Sequence, residues 1–244
     1  MNRNIIKKDN SKENIKIVEK KNRKPKNTES FEVKKYIPDM KIQFSTNNIK
    51  YDNIIDPNDV ILVPNLFQND ENLYKNLLKE VFATKYNKKE LIIPWHEESH
   101  LIVDDNYDWK KDCPIFNYVV DKIANYFSMD IKATRMNWYQ YDTDHKFFHH
   151  DAAAIKPHIA KKQNFTVGVS FGSTREIAFQ VANHKDCRNI VSIPLKDGTT
   201  YCFSKDVNIN WKHGVLPKAL KEENIKTEKG RISIIVWGYV EMNK

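Results

Sequence analysis

The spacing of hydrophobic residues divides the chain into a helical part and a strand-rich part. In two stretches before residue 131, apolar side chains recur at the spacing of one helix face. The first stripe holds Leu73, Leu77, Leu78, Val81 and Phe82, and the second holds Ile115, Val119, Ile123 and Phe127. Pro114 suits the first position of the second helix, where a missing backbone N–H costs nothing. The pattern predicts two amphipathic helices.

From residue 131 the apolar period falls to two, which is typical of β-strands. The runs with this pattern are KATRMNWYQY, NFTVGVSFG, EIAFQV, NIVSIPL, TTYCF and RISIIVWGYV. Turn signals such as Asp197-Gly198 separate them, and no helical stretch lies between them. We therefore predict an α+β fold, in which helices pack on one face of a double-sheet antiparallel jelly roll.

The positive charge is confined to the beginning of the chain. Residues 1–50 hold 14 Lys and Arg against 6 Asp and Glu, whereas residues 51–244 hold 26 of each. Because the first 50 residues also lack a sustained apolar period, we expect a disordered basic tail over 1–50 and a folded domain over 58–242. The run KKNRKPK at 20–26 suits a nuclear address or a phosphate-binding patch, or it is simply a solvated tail.

The composition also bears on location. No apolar run approaches 18 residues, and no hydrophobic signal segment follows Met1. The three cysteines, Cys113, Cys187 and Cys202, form an odd set without motif spacing. We expect an intracellular protein, cytoplasmic or nuclear, that is monomeric and makes no membrane contact.

The stretch FFHHDAAAIKPH, residues 147–158, suggests a metal site. In a strand, residues i and i+2 point to the same face, so His149 and Asp151 can converge on one ion while His150 points away. His213, in NWKHGVLP, is the best candidate for a third ligand. Two histidines and one carboxylate on one side of an ion form the facial triad of non-haem Fe(II) oxygenases.

The last predicted strand offers a candidate anion site. Arg231 and Ser233 share one face of RISIIVWGYV. A buried guanidinium beside a hydroxyl suits a two-pronged grip on a carboxylate. The alternative is a salt bridge at the end of the barrel.

The segment MNWYQYDTDHKFFHHD resembles the AlkB-type branch of the Fe(II)- and 2-oxoglutarate-dependent dioxygenases, and the resemblance extends over roughly residues 60–240. It implies a double-stranded β-helix that uses Fe(II), 2-oxoglutarate and O2. It also implies that Asn137 and Tyr139 bind the co-substrate with Arg231, whose neighbour Ser233 we include in that site. The metal ligands would be His149, Asp151 and His213, with no further catalytic residue.

Three positions depart from the AlkB pattern. Trp237 stands where a second arginine is usual, and Ala152, Ala153 and Ala154 replace a stretch that is usually acidic. The usual Pro-Arg element is only Pro94-Trp95. All three positions belong to outer contacts, so the reaction class is better supported than a nucleic-acid substrate.

The function predicted from the sequence is hydroxylation or oxidative demethylation of a substrate C–H, with a modified nucleobase as one candidate. The alternatives are a hydroxylase of a protein side chain or small metabolite, and a non-catalytic nucleic-acid-binding β-roll. Candidate nucleic-acid contacts are the basic tail and Lys156, Lys161 and Lys162. Trp95 could stack on a base, and Tyr141 is expected in the pocket wall.

Overall fold

Two β-sheets pack against each other in the computed structural model, which describes residues 38–96, 98–182, 190–217 and 230–242. The larger sheet has eight strands, in the spatial order β1 (Lys41–Phe44), β2 (Asp59–Val63), β10 (Thr200–Ser204), β7 (Phe165–Gly172), β12 (Arg231–Tyr239), β5 (Asp130–Tyr139), β4 (Leu101–Val103) and β3 (Ile92–Pro94). The smaller sheet has the order β6 (Lys146–His149), β11 (Trp211–Val215), β8 (Arg175–Val181) and β9 (Ile190–Leu195). Neighbouring strands are antiparallel except β1 and β2.

Two long helices cover the outer face of the larger sheet. They are α1 (Leu73–Ala83) and α3 (Pro114–Phe127), and Pro114 occupies the first turn of α3 as predicted. The remaining helices are short: α2 (Lys88–Leu91), a 3-10 turn (Trp109–Asp112), α4 (Ala152–Ile155), α5 (Pro157–Ala160) and α6 (Lys205–Asn210). The predicted α+β fold, with a jelly-roll core and helices on one face, is confirmed.

The side chains of β12 point alternately into two hydrophobic cores. Ile232, Ile234 and Val236 face the helices and join a core with residues of α1 and α3. Ile235 faces the smaller sheet and joins a second core, which contains Phe179 of β8. Since both faces of this strand are covered, its inward polar residues are buried as well, and the interior between the sheets can hold a polar site.

Part of the segment predicted as a tail belongs to the larger sheet. Residues 41–44 form β1, which pairs with β2 from Lys41 opposite Asp59 to Phe44 opposite Leu62. Ser45 then bonds the Tyr126 hydroxyl, with 2.8 Å between the oxygens. The expected boundary at residue 50 is therefore too late for residues 41–45. The basic run at 20–26 lies outside the described residues, where the tail remains a prediction.

The cysteines and the helices can also be compared with the expectations from the sequence. Cys113 and Cys202 are buried free thiols, and Cys187 lies outside the described residues. Among the described residues, no helix combines the length and hydrophobicity needed to cross a bilayer.

A pair of deletions tests where the folded region begins. Removal of residues 1–50 takes away β1 and Ser45, so the free energy of unfolding should fall by about 1–3 kcal/mol for a few lost hydrogen bonds. Removal of residues 1–37 leaves those contacts intact and should change it by less than about 0.5 kcal/mol. Urea denaturation of both variants and the full chain measures the difference. Equal stability of the two variants would show that β1 contributes nothing.

Candidate metal centre

The two candidate histidine ligands lie opposite each other on neighbouring strands of the smaller sheet. His149 ends β6 and pairs with His213 of β11, and their ring centroids are 4.4 Å apart. Asp151 follows two residues later, beyond the end of the strand and just before α4. Its backbone is still extended (φ −69°, ψ 156°), which is why the i, i+2 alternation continues past β6.

The three side chains form a compact ligand set. Asp151 Oδ1 lies 3.7 Å from His149 Nε2 and 3.6 Å from His213 Nε2. One ligand atom from each residue lies within 4.8 Å of the others. These spacings are too long for hydrogen bonds, but they suit donors arranged around one cation.

His150 points away from this cluster, as the alternation predicts. Its Nδ1 lies 2.6 Å from the backbone carbonyl of Asn208 in α6, which accepts its hydrogen bond. The Asn208 side chain also accepts from the Asp151 backbone N–H at 2.9 Å and donates to the Asp151 carbonyl at 3.3 Å. Asn208 thereby fixes the backbone of Asp151, a role that no sequence motif predicts.

The second oxygen of Asp151 is held by the larger sheet. Its Oδ2 accepts hydrogen bonds from Thr166 Oγ1 at 3.1 Å and from Trp237 Nε1 at 2.9 Å. This arrangement leaves Oδ1 facing the two imidazoles. Trp237, which departs from the AlkB pattern, therefore orients the carboxylate by means of its indole.

The electrostatic environment prepares these groups to bind a cation. Burial alone would raise the pKa of Asp151, but the nearby imidazoles of His213 and His149 hold the pKa well below its usual value. Burial lowers the pKa of His213 to about 4, against the opposing charge of Asp151. His149 donates its Nδ1 proton to the Phe147 carbonyl at 2.9 Å, which leaves Nε2 as a lone-pair donor.

The candidate co-substrate residues adjoin the three ligands. Asn137, Tyr139 and Ser233 line the same cavity as the histidines and Asp151. Arg231 is fully buried and is not among the lining residues, but its guanidinium lies 4.9 Å from the centroid of the Tyr139 ring. Its Nε donates to Ser170 Oγ at 2.7 Å.

The guanidinium fork of Arg231 makes no hydrogen bond to the residues that the structure describes. Nη1 and Nη2 have no hydrogen-bond partner within the described part of the chain, and the buried Oδ1 of Asn137 has none there either. A buried cation without partners is costly, so this fork fits a ligand with paired oxygens. The described residues thus give no support to the alternative of a salt bridge at the barrel end.

The comparisons with known proteins agree with this geometry. The sequence matches the 2OG-Fe(II) oxygenase superfamily over residues 74–236, which is more than half of the chain. The chain belongs to this superfamily. It is therefore a dioxygenase that uses Fe(II), 2-oxoglutarate and O2, and the cluster of two histidines and one aspartate fits an iron site.

The solved structure of OsALKBH1 resembles the oxygenase in fold, with a TM-score of 0.50 and 13% sequence identity. The similarity covers 76% of this chain and 100% of that chain. No curated protein matches the sequence. The AlkB-type resemblance drawn from the sequence is thus supported for the superfamily and the fold.

The aromatic residues Tyr141, His100 and Trp95 occupy different environments in the oxygenase. Tyr141 is 62% exposed and does not line the cavity, so its expected place in the pocket wall is wrong. His100 is buried and stacks on Tyr139 with 5.0 Å between centroids. Trp95 lies against the guanidinium of Arg135 at 4.1 Å.

Tyr201 and Lys146 are among the cavity residues that the sequence did not single out. Tyr201 of β10 lies against Gly168 of β7, and a Cβ at residue 168 would come within 2.3 Å of the tyrosine ring. A side chain at residue 168 would therefore displace the ring that forms one wall. Lys146 also lines the cavity, three residues before His149. Lys146 lies within the AlkB-like segment and Tyr201 within a predicted strand, but the resemblance implies no role for either residue.

Replacing Trp237 tests its role in orienting the iron ligand. Trp237→Phe removes the donor to Asp151 Oδ2, so Fe(II) affinity should fall roughly tenfold, as expected for loss of a partner to a metal ligand. Trp138→Phe is the matched control, because Trp138 Nε1 donates to the Tyr74 hydroxyl on the helix side of β5. Its Fe(II) affinity should stay within about twofold. Anaerobic calorimetry measures both, and equal losses would contradict the role assigned to Trp237.

Proposed function

We propose that the oxygenase binds Fe(II) through His149, Asp151 and His213 and hydroxylates or oxidatively demethylates a C–H bond of its substrate. The observation that carries this proposal is the convergence of three ligand atoms within 4.8 Å in the lining of one cavity. Such a triad leaves neighbouring coordination positions open for the co-substrate and O2. When bound, the iron with 2-oxoglutarate and O2 supplies oxidation of the C–H bond, coupled to formation of succinate and CO2.

The protein's own residues position the reactants. Arg231 would hold the distal carboxylate of 2-oxoglutarate with its free fork, and Asn137, Tyr139 and Ser233 would bond the co-substrate along the cavity wall. Burial raises the pKa of Tyr139 to about 12, against the opposing charge of Arg231, so its hydroxyl stays protonated and can donate. The apolar part of the cavity lining, which consists of Ile177, Phe203, Val215 and Ile235, would limit the access of water to the reacting centre.

For the substrate we propose a modified base in nucleic acid. The Arg135 guanidinium lies 4.1 Å from the centroid of Trp95 and 5.9 Å from that of Trp237. Because Trp237 donates to Asp151, these three planar side chains form a row that begins at the candidate metal ligand. Such groups are suited to stacking on an extruded base. The lysines proposed as phosphate contacts are exposed between and after the two short helices that follow Asp151: Lys156, Lys161 and Lys162.

Single substitutions test the metal ligands. His149→Ala, Asp151→Ala and His213→Ala should each abolish Fe(II) retention and succinate formation, because two ligands leave an incomplete triad. His150→Ala is the matched control and should bind Fe(II) within a few-fold of the unmodified protein. Metal analysis after anaerobic gel filtration provides the measurement. Loss of iron in the His150 variant alone would move the site to the other face of the strand.

Charge-matched triple variants test the nucleic-acid substrate. Substituting Lys156, Lys161 and Lys162 with Gln should weaken binding of a single-stranded oligonucleotide and flatten its salt dependence by up to about two units, at about 0.7 per phosphate contact. The control substitutes Lys75, Lys79 and Lys89, exposed residues of the helices α1 and α2. It makes the same change in net charge and should leave the slope unchanged.

The reaction itself is followed by mass spectrometry. The full chain, Fe(II), ascorbate and 2-oxoglutarate are incubated with methylated oligonucleotides, with peptides and with small metabolites. Oxidation of the oligonucleotides supports the proposed substrate class. Product formed only from peptides or metabolites would refute the nucleobase proposal and leave the dioxygenase proposal standing. Without any succinate formation, the dioxygenase activity would fail, and a binding role would be the better account.

A further inference from the structure

A β-bulge turns Lys146 toward the candidate metal centre. His213 and Val215 are two residues apart on β11, but their partners on β6, His149 and Lys146, are three apart. In a regular strand an odd spacing would place Lys146 and His149 on opposite faces. The extra residue in β6 brings both to the same face, and all four side chains line the cavity.

Lys146 lines the same cavity as the three candidate ligands and Tyr139. Two residues before it, the carbonyl of Asp144 accepts a hydrogen bond from Arg175. The guanidinium of Arg175 lies 5.8 Å from the Tyr139 ring. β6 begins at Lys146 and ends at His149, so Lys146 lies at the opposite end of the strand from the candidate metal ligand.

The Lys146 ammonium has no direct partner in the described part of the chain, where no hydrogen bond or ion pair involves it. Burial lowers its pKa, while Asp151 and Glu98 lie near enough to favour the charge and Arg135 opposes it. Lys146 is half-buried, and a cation in that position that makes no direct ion pair with the described residues favours the approach of an anion. The feature therefore points to a ligand that carries negative charge into the cavity.

We propose that Lys146 is a second cationic contact for 2-oxoglutarate, binding its 2-oxo acid end while Arg231 binds the distal carboxylate. The inference rests on the proposed function, because it assigns a role within the same co-substrate site. Two observations distinguish the proposed contact of Lys146 from that of Arg231. Lys146 shares its strand and face with His149, whereas Arg231 lies on the larger sheet beside Ser170. The lysine ammonium is a single point charge, whereas an arginine guanidinium can make two parallel hydrogen bonds. A point charge would suit a carboxylate that the metal would also hold.

Binding measurements on the full chain test this assignment without turnover. The protein is loaded with Mn(II) under anaerobic conditions and titrated calorimetrically with 2-oxoglutarate or with 2-oxobutyrate, which lacks the distal carboxylate. Lys146→Met should weaken both acids by a similar factor, on the order of tenfold or more for a lost charge-assisted contact. Arg231→Lys should weaken 2-oxoglutarate alone. Mn(II) affinity without an acid should not fall in the Lys146 variant.

The control is Lys212→Met, since Lys212 is next to His213 on β11 but points to the other face of the strand. Its affinity for both acids should be unchanged. If Lys146→Met binds both acids normally, the proposal fails. If it weakens 2-oxoglutarate alone, the assignment to the 2-oxo acid end is wrong. Absence of binding by the unmodified, Mn(II)-loaded protein would instead refute the proposed function itself.

Discussion

The two carboxylate oxygens of Asp151 have different partners, and together these contacts hold the candidate centre in place. Oδ2 is bonded by Thr166 and Trp237 of the larger sheet, while Oδ1 faces the histidines of the smaller sheet. One carboxylate thus connects both layers of the fold. Its orientation requires that the sheets keep their spacing, and the two hydrophobic cores on either side of the larger sheet maintain that spacing.

The parts of the site that follow from local alternation could be predicted from the sequence. The period of two in RISIIVWGYV is enough to place Arg231 and Ser233 on one face, and β12 has that alternation. The same reasoning separates His149 from His150. In both cases the position of a side chain depends only on its near neighbours along the chain.

The parts that depend on distant pairing could not be predicted. The bulge that turns Lys146 inward exists only because β6 pairs with β11, far along the sequence. Asn208 reaches Asp151 from α6, and no spacing rule connects the two. Likewise, β1 has an exposed, unremarkable pattern, and it joins the fold by backbone pairing with β2. Composition alone places such a strand in a tail, because it buries little apolar surface.

The placement of the candidate ligand groups on different layers has a mechanical consequence. His149, His213 and Asp151 belong to the smaller sheet and the segment after its first strand, whereas Arg231 belongs to the larger sheet. A dicarboxylate held by the metal at one end and by Arg231 at the other would therefore connect the two sheets. The co-substrate would add a second connection between the layers, beside the packing of the two hydrophobic cores. Because binding stabilises the state that is bound, the co-substrate would stiffen the barrel around the reaction it serves.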